Sequence, residues 1–368
     1  MQKPRVKSEH EPYRLADGRI RIGGGVFGIA AEISDADGVA WATLQAMDGT
    51  RSLDEIAAYV CEQHPWLSTQ EAVAVTDQLI ASGYVEDAAA AVPDALSPRE
   101  RERYSRSQAF FRWVDLRQQA HGWQAQLRLR DASVLVLGLG GTGATAAWAL
   151  AASGVGRLHC VDADVVELSN LNRQMLYTES DVGRAKVDVA VERLRRFNSD
   201  IAVTGERLRV TAPEDLTKLL VGCDVLALCA DEPRGADGIR AWTNRACAAA
   251  GVPWVGAGYN GPLVTVGTFT PGGGACYECL VNSERERQRA QAERDEASMD
   301  FVLGLGGPGV MAASAGISGH LVGHAVIAVL TGAPELPTGC VYGVNLVAPD
   351  HLVMTGSPGR QPGCPVCG

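Results

Sequence analysis

The sequence predicts two domains: a small α+β unit of winged-helix shape, followed by a larger α/β unit built on a doubly wound parallel sheet. Three observations carry that reading. From residue 131 to about 260, apolar strand runs alternate with helical stretches, the pattern of a parallel sheet with helices on both faces. Ahead of them, residues 1 to about 90 read as short strands and then three helices. Between the two, residues 88–98, AAAAVPDALSP, are small and carry two prolines, as a linker does. The expected boundaries are 1–95 for the first domain, 96–130 for a linker and helix, and 131–368 for the second.

Composition limits the function. At 368 residues, 46% hydrophobic and 21% charged, the chain has the profile of an ordinary globular protein. Its formal charge of -10, from 33 basic and 43 acidic residues, leaves no broad basic footprint for phosphate backbones, so no nucleic-acid partner is expected. The N-terminus, MQKPRVKSEHEPYR, lacks a secretory apolar region, and no run reads as a membrane span of about eighteen apolar residues. A cytoplasmic location and no membrane partner are the expectations. The chain has ten cysteines, and four of them form two CxxC pairs. In a reducing compartment that spacing favours metal over disulfide.

In the first domain, two strands flank the Asp17-Gly18 turn and a third is expected at Val26 to Ile29, after Gly23 to Gly25. Ser52 with Glu55 and Ser68 with Glu71 have capping-box spacing, in which hydroxyl and carboxylate satisfy backbone N–H groups at a helix start. Ala72, Val75 and Leu79 recur at helical spacing, and Gly83 falls where that helix should stop. Residues 99–130 are charged and aromatic and read as helical.

In the second domain, the strand Ser133 to Leu137 is followed by Gly138, Gly140, Gly141 and Gly143. Glycines there permit a tight turn and let the backbone approach a phosphate at a helix N-terminus. Alone, the turn leaves a dehydrogenase open. The next strand ends in Asp162 and Asp164, where an acid binding ribose hydroxyls would stand. SNLNRQ (169–174) and VGRAK, ending at Lys186, then add Arg173 and Lys186, more cation than a nicotinamide cofactor needs and suited to a triphosphate. Cys276 and Cys279 in CYEC, with Cys364 and Cys367 in CPVC, can supply four thiolates to one structural zinc, Zn2+, stapling the C-terminus to the domain. The other cysteines read as small core residues, and His320 with His324, four apart on a Gly/Ala-rich helix, as packing.

The run VLVLGLGGTG through VDADVVELSNLNRQ, VGRAKVDVA and CAD closely resembles the ubiquitin-activating-like adenylating family, which includes the activators of molybdopterin-synthase and thiamin sulfur carriers. The resemblance covers about residues 101–368. It implies a Rossmann-like adenylation domain using ATP and Mg2+, in which Asp162 holds the ribose, Asn170, Arg173 and Gln174 the phosphates, Lys186 the triphosphate and Asp231 the magnesium. RYSRS matches the family's arginine-bearing helix, so Arg106 is implied as a finger reaching a partner subunit's ATP, in a homodimer. One departure is Asp231-Glu232 where the family has Asp-Asn. Arg240 and Asn244, about four residues late, place a small insertion at that rim. No cysteine lies between Leu280 and Met311, where relatives that form a thioester or persulfide carry one, so thioester transfer is not expected. That loop, with Arg285, reads as a solvated helix over the site.

Tyr13 to Asp87, through DGTRSLDEI, is similar to the winged-helix peptide chaperone of pyrroloquinoline-quinone synthesis and to leader-recognition modules of ribosomal peptide-modifying enzymes. In these a precursor peptide adds a strand to the sheet edge. Here that edge is expected at Val26 to Ile29, with Leu79 and Ile80 in the groove or core. The function implied is adenylation of a carboxylate on a captured precursor (leader) peptide. The rivals are a non-catalytic leader-binding partner of a thiazole/oxazole cyclodehydratase and a sulfur-carrier-protein adenylyltransferase.

Overall fold

The computed structural model describes residues 1–233, 237–291 and 309–368. The chain divides into two units, Met1–Arg128 and Leu129–Gly368.

The first unit begins with β1 (Pro4–Val6) and a hairpin of β2 (Tyr13–Arg14) and β3 (Ile20–Ile22), joined antiparallel by β4 (Ala31–Ile33). Helices α1 (Val39–Ala46), α2 (Leu53–Gln63) and α3 (Thr69–Ala81) follow, and β5 (Val85–Asp87) returns to pair antiparallel with β1. Both expected capping boxes form: Ser52 and Ser68 accept from the backbone of Glu55 and Glu71, whose carboxylates accept in return. Gly83 ends α3 at φ +82°. Ile20, Ile22, Ile56, Val60, Leu79 and Ile80 meet in one buried core, so Leu79 and Ile80 are core rather than groove. Then come α4 (Pro98–Arg103), α5 (Ser105–Val114) and α6 (Gln124–Asp131), whose last three residues already belong to the second unit. Leu116 packs on the first core, and the buried Lys7 donates from Nζ to the Asp115 carbonyl at 2.9 Å.

The third strand is not where the sequence placed it. Val26 to Ile29 are turns, and the strand starts at Ala31. Gly23, Gly24 and Gly28 all take positive φ, and the Ile29 and Ala30 N–H groups both return to the Val26 carbonyl, at 3.1 and 2.9 Å. The apolar residues between these glycines form a loop tip with Phe27 fully exposed. Glycine favours turn geometry over extended pairing, and that overrode the apolar signal.

The second unit alternates strand and helix as expected: β6 (Ser133–Leu137), α7 (Gly141–Ala152), β7 (Arg157–Val161), α8 (Lys186–Phe197), β8 (Ala202–Glu206), α9 (Pro213–Leu219), β9 (Val225–Leu228), α10 (Ile239–Ala250) and β10 (Trp254–Asn260). Next are β11 (Leu263–Phe269), α11 (Tyr277–Gln291), α12 (Ala312–Thr331), β12 (Cys340–Asn345) and β13 (Leu352–Thr355). The sheet order is β13-β12-β11-β10-β9-β6-β7-β8. Pairings from β10 through β9, β6 and β7 to β8 are parallel, and those from β10 to β13 antiparallel. Val134 to Leu137 are buried at every position, as in a sheet covered on both faces. From β8 the chain crosses back to β9 on the far side of β6, which makes the β6–β9 crevice the topological switch point.

Helix α12 is long and apolar enough to cross a membrane by length and composition, contrary to the sequence expectation. Glycines four apart seat it on α7: a Cβ on Gly319 would stand 2.4 Å from Thr145 Cβ, and one on Gly323 2.9 Å from Ala149 Cβ. The Thr142 hydroxyl donates to Ser318 Oγ at 3.1 Å across this contact. His320 is exposed and His324 half-buried on the same helix. The loop expected over the site is helical through Gln291, and its remainder to residue 308 lies outside the described residues.

Candidate functional site

The four glycines after β6 divide into two kinds. Gly138 has φ +92°, and a Cβ there would lie 2.7 Å from the Ala230 nitrogen. On Gly143 it would lie 1.8 Å from the Gly138 carbonyl, and on Gly141 2.8 Å from Ala315 Cβ. These three let the turn close and α7 seat. Gly140 is different, because its nearest neighbour would be Gln174 Nε2 at 3.9 Å. It is the position where the turn leaves room for a ligand against the backbone at the start of α7.

Asp162 emerges from β7 almost buried, its Oδ2 accepting from the Leu139 N–H at 2.6 Å and its Oδ1 from the Asp164 N–H at 2.8 Å. Tyr177 fixes the same turn by donating to the Leu139 carbonyl at 2.9 Å, and burial with the nearby Asp162 pushes its phenol pKa up, keeping it a donor. Each Asp162 oxygen keeps a lone pair for a hydroxyl.

Beside this turn is a cleft of about 460 Å³ lined by Ala163, Asp164, Val165, Glu167, Asn170, Arg173, Gln174, Lys186, Arg207 and Arg209. It brings together Asp164, Asn170, Arg173, Gln174 and Lys186 from the sequence reading. A short 3-10 turn, Leu168–Asn170, sets Asn170, whose Oδ1 accepts from the Glu167 N–H at 3.1 Å. Arg173 is held by the Ser169 carbonyl and Asn172 Oδ1, both at 2.9 Å. Gln174 is buried and its Oε1 has no partner among the described residues, an acceptor that a ligand could satisfy.

Lys186 is the first residue of α8 and is buried. A cation at the positive end of a helix opposes the dipole, and burial adds a desolvation cost. Asp164 offsets part of both, with Oδ2 3.3 Å from Lys186 Nζ, while its Oδ1 takes Arg209 at 2.8 Å. Packing gives no reason for a lysine here, whereas an anion does.

Asp231 is exposed just past β9, followed by Glu232, at the switch point across from Gly138. It does not line the cleft. Arg106 is exposed on α5 of the first unit. Arg240 donates to the Ala257 carbonyl, and Asn244 accepts from the Tyr277 N–H at 3.1 Å. The small insertion expected between Glu232 and Arg240 would include residues 234–236, which lie outside the described residues.

Arg207 and Arg209 were missed by the sequence reading. Their signal was Arg-Leu-Arg immediately after β8, at the carboxyl edge of the sheet where such folds bind ligands.

The four CxxC cysteines converge, with all four Sγ atoms within 4.8 Å of one another. Cys276 lies 3.6 Å from Cys364, Cys279 lies 3.4 Å from Cys367, and Cys276 lies 3.9 Å from Cys279. Four sulfurs about 2.3 Å from a tetrahedral ion stand about 3.8 Å apart, so the set fits zinc. Burial raises the Cys364 thiol, but hydrogen bonds from the Val366 and Cys367 backbone and from the neighbouring sulfurs outweigh it and bring the pKa to about 7. Elsewhere burial pushes Cys160 and Cys229 up to about 12, as inert core thiols.

A glycine turn, a ribose-position acid and a cationic cleft at the carboxyl edge of a doubly wound sheet define a nucleotide-binding α/β unit. The ThiF family matches residues 113–366, and the chain belongs to it. Among its relatives is the Escherichia coli (strain K12) sulfur carrier protein ThiS adenylyltransferase, 35% identical over 248 residues, which are 66% of this chain and 88% of the relative. The Sus scrofa adenylyltransferase and sulfurtransferase MOCS3 is 43% identical over 162 residues, 43% of this chain. The chain spans about a third of that relative, 34%. The fold is similar over 100% of both chains to a crystal structure of E. coli MccB with AMPCPP and SeMet MccA, at TM-score 0.74 and 23% identity.

Proposed function

We propose that the chain is an ATP-dependent adenylyltransferase that activates a carboxylate on a ribosomally made precursor peptide held by its first unit. The observation that carries the reading is the buried Lys186 at the start of α8, gathered with Arg173, Asn170 and Gln174 in one cleft beside the turn that Asp162 fixes. In this reading Asp162 accepts from ribose hydroxyls, Gly140 lets the nucleotide lie against the backbone, and Arg173 and Lys186 hold phosphate oxygens. A peptide carboxylate is already ionised near neutral pH, so it attacks the α-phosphorus without a protein base. The new bond joins carboxylate oxygen to phosphorus, and the bond to the bridging oxygen breaks as pyrophosphate leaves. The protein contributes positioning and charge stabilisation. Asp231, a hard oxygen donor at the switch point, would hold magnesium, which supplies charge neutralisation to the phosphates. Arg106 would serve a partner subunit's site in a homodimer. The four-cysteine set would hold a structural zinc.

The full-length likeness to MccB, a protein crystallised with AMPCPP and MccA, supports a peptide substrate. So does the free edge of β4, which among the described residues pairs only with β3. An extended peptide can add there as a strand. With the Val26 to Ile29 segment a loop, β4 replaces it as the proposed capture edge, and residues 1–95 remain the proposed recognition module. A cyclodehydratase is a proposed further partner only if nucleotide turnover is absent, and a cytoplasmic location is proposed.

A second reading, adenylation of a sulfur carrier protein, is favoured by the 35% identity to the ThiS adenylyltransferase. ATP–pyrophosphate exchange separates them. Exchange driven by the cognate precursor peptide and lost in Lys186→Ala supports the first. Exchange driven by a sulfur carrier and not by the peptide supports the second, and tight peptide binding without exchange leaves a presentation scaffold.

A further inference from the structure

We infer that Arg207 and Arg209 form a second cationic wall of the cleft that grips the outer phosphates of the nucleotide and the pyrophosphate released from it. The inference rests on the adenylyltransferase reading and extends it to residues that no motif in that reading includes.

The two side chains stand two residues apart just beyond β8, and both line the same cleft as Lys186 and Arg173. Arg209 reaches Asp164 Oδ1 at 2.8 Å while Lys186 Nζ stands 3.3 Å from Asp164 Oδ2. One carboxylate thus holds cations from two elements, α8 and the segment after β8, facing a common space. Arg207 is fixed to the same stretch, its Nε donating to the Ala163 carbonyl at 3.2 Å. The lining carries four cations, Arg173, Lys186, Arg207 and Arg209, against two carboxylates, Asp164 and Glu167.

Such a surplus across about 460 Å³ suits a polyanion wider than one phosphate. A guanidinium offers a planar fork that fits phosphate oxygens two at a time. Asp164 keeps Lys186 and Arg209 near one another, where like charges would otherwise separate. An arriving triphosphate can share or replace that carboxylate. Arg209 shares Asp164 with Lys186, the residue assigned to the triphosphate, so Arg207 and Arg209 are assigned to the phosphates on that side, where pyrophosphate departs. Their contacts should strengthen as charge gathers on the leaving group.

The test measures equilibrium binding of ATP, AMP and inorganic pyrophosphate to the full chain. The variants are Arg207→Ala/Arg209→Ala, Arg207→Lys/Arg209→Lys and, as a control for net charge, Arg196→Ala, whose side chain is exposed on α8 and pairs with Glu192 in a one-turn contact. With each charged hydrogen-bonding group worth about tenfold, the double alanine variant should weaken ATP and pyrophosphate by about a hundredfold. AMP should stay within about twofold, the lysine pair should recover part of the loss, and Arg196→Ala should bind as wild type. Pyrophosphate affinity that does not change in the double alanine variant, or a loss for AMP as large as that for ATP, overturns the inference. A wild-type chain that binds no ATP removes the adenylyltransferase reading and the inference together. Wild-type ATP binding with an unaffected double variant removes the inference alone.

Discussion

Single residues separate what the fold needs from what the chemistry needs. Lys186 is buried at the wrong end of a helix for a cation, so its removal should not weaken folding. Lys186→Met is expected to keep or raise the unfolding free energy, by up to about 1 kcal/mol, while ATP binding falls at least about tenfold. Paired denaturation and binding measurements check this, and equal loss of both would make Lys186 structural. His10 behaves in the opposite way. It is fully buried against Tyr84, with ring centroids 5.1 Å apart, and burial, then Lys7, hold its pKa below the usual 6.5. The unfolded chain therefore binds the proton first. Stability of the first unit should be complete above the unfolded pKa and decline as pH falls through about 6.5 toward the lower folded value. In His10→Leu that decline should be absent in urea unfolding between pH 7 and 5. An unchanged slope would assign it to other groups. That Asn170, Arg173, Gln174 and Lys186 share one cleft was legible because motif order named them together. Arg207 and Arg209 were not, because two arginines after a strand look like solvated surface until the cleft brings them to Lys186.

Elements show where local signals suffice and where packing decides. The capping boxes at Ser52 and Ser68 formed as read, since four neighbouring residues specify them. The strand at Val26 to Ile29 did not, because three positive-φ glycines bend the chain there. The parallel strands announced themselves as apolar runs, whereas β11 and β12 are each interrupted by a glycine, Gly267 and Gly343, and β13 is only four residues long, and all three went unread. The turn after β6 needs Gly138 for backbone geometry, so Gly138→Ala should destabilise the second unit by roughly 1–3 kcal/mol. Gly140→Ala should leave the unfolding midpoint nearly unchanged and weaken ATP binding. Calorimetry and nucleotide titration distinguish them, and a Gly140 variant that binds ATP normally would deny the ligand a place against that backbone. The four-cysteine set ties residues 364–367 to the start of α11. Elemental analysis should find about one zinc per chain, and Cys364→Ser should lose it and expose the C-terminus to protease. Full metal content in that variant would place the ion elsewhere.

At the scale of the whole chain, the order of motifs revealed the second unit's fold and family more clearly than any one motif did, since a glycine turn alone also fits a dehydrogenase. The first unit's architecture was legible from its strand-then-helix order, while the position of its edge strand β4 came only from the three-dimensional structure. If β4 is that edge, Glu32→Pro, which removes a backbone donor from it, should weaken precursor binding at least about tenfold without altering ATP binding. Titrations of both ligands check it. The most direct measurement follows oxygen. A precursor peptide labelled with 18O in its carboxylates is incubated with the chain, ATP and magnesium, and hydroxylamine then releases any acyl-adenylate. The account predicts one 18O in the AMP released and none in the pyrophosphate. AMP without label, or ADP and phosphate as the products, would contradict carboxylate adenylation.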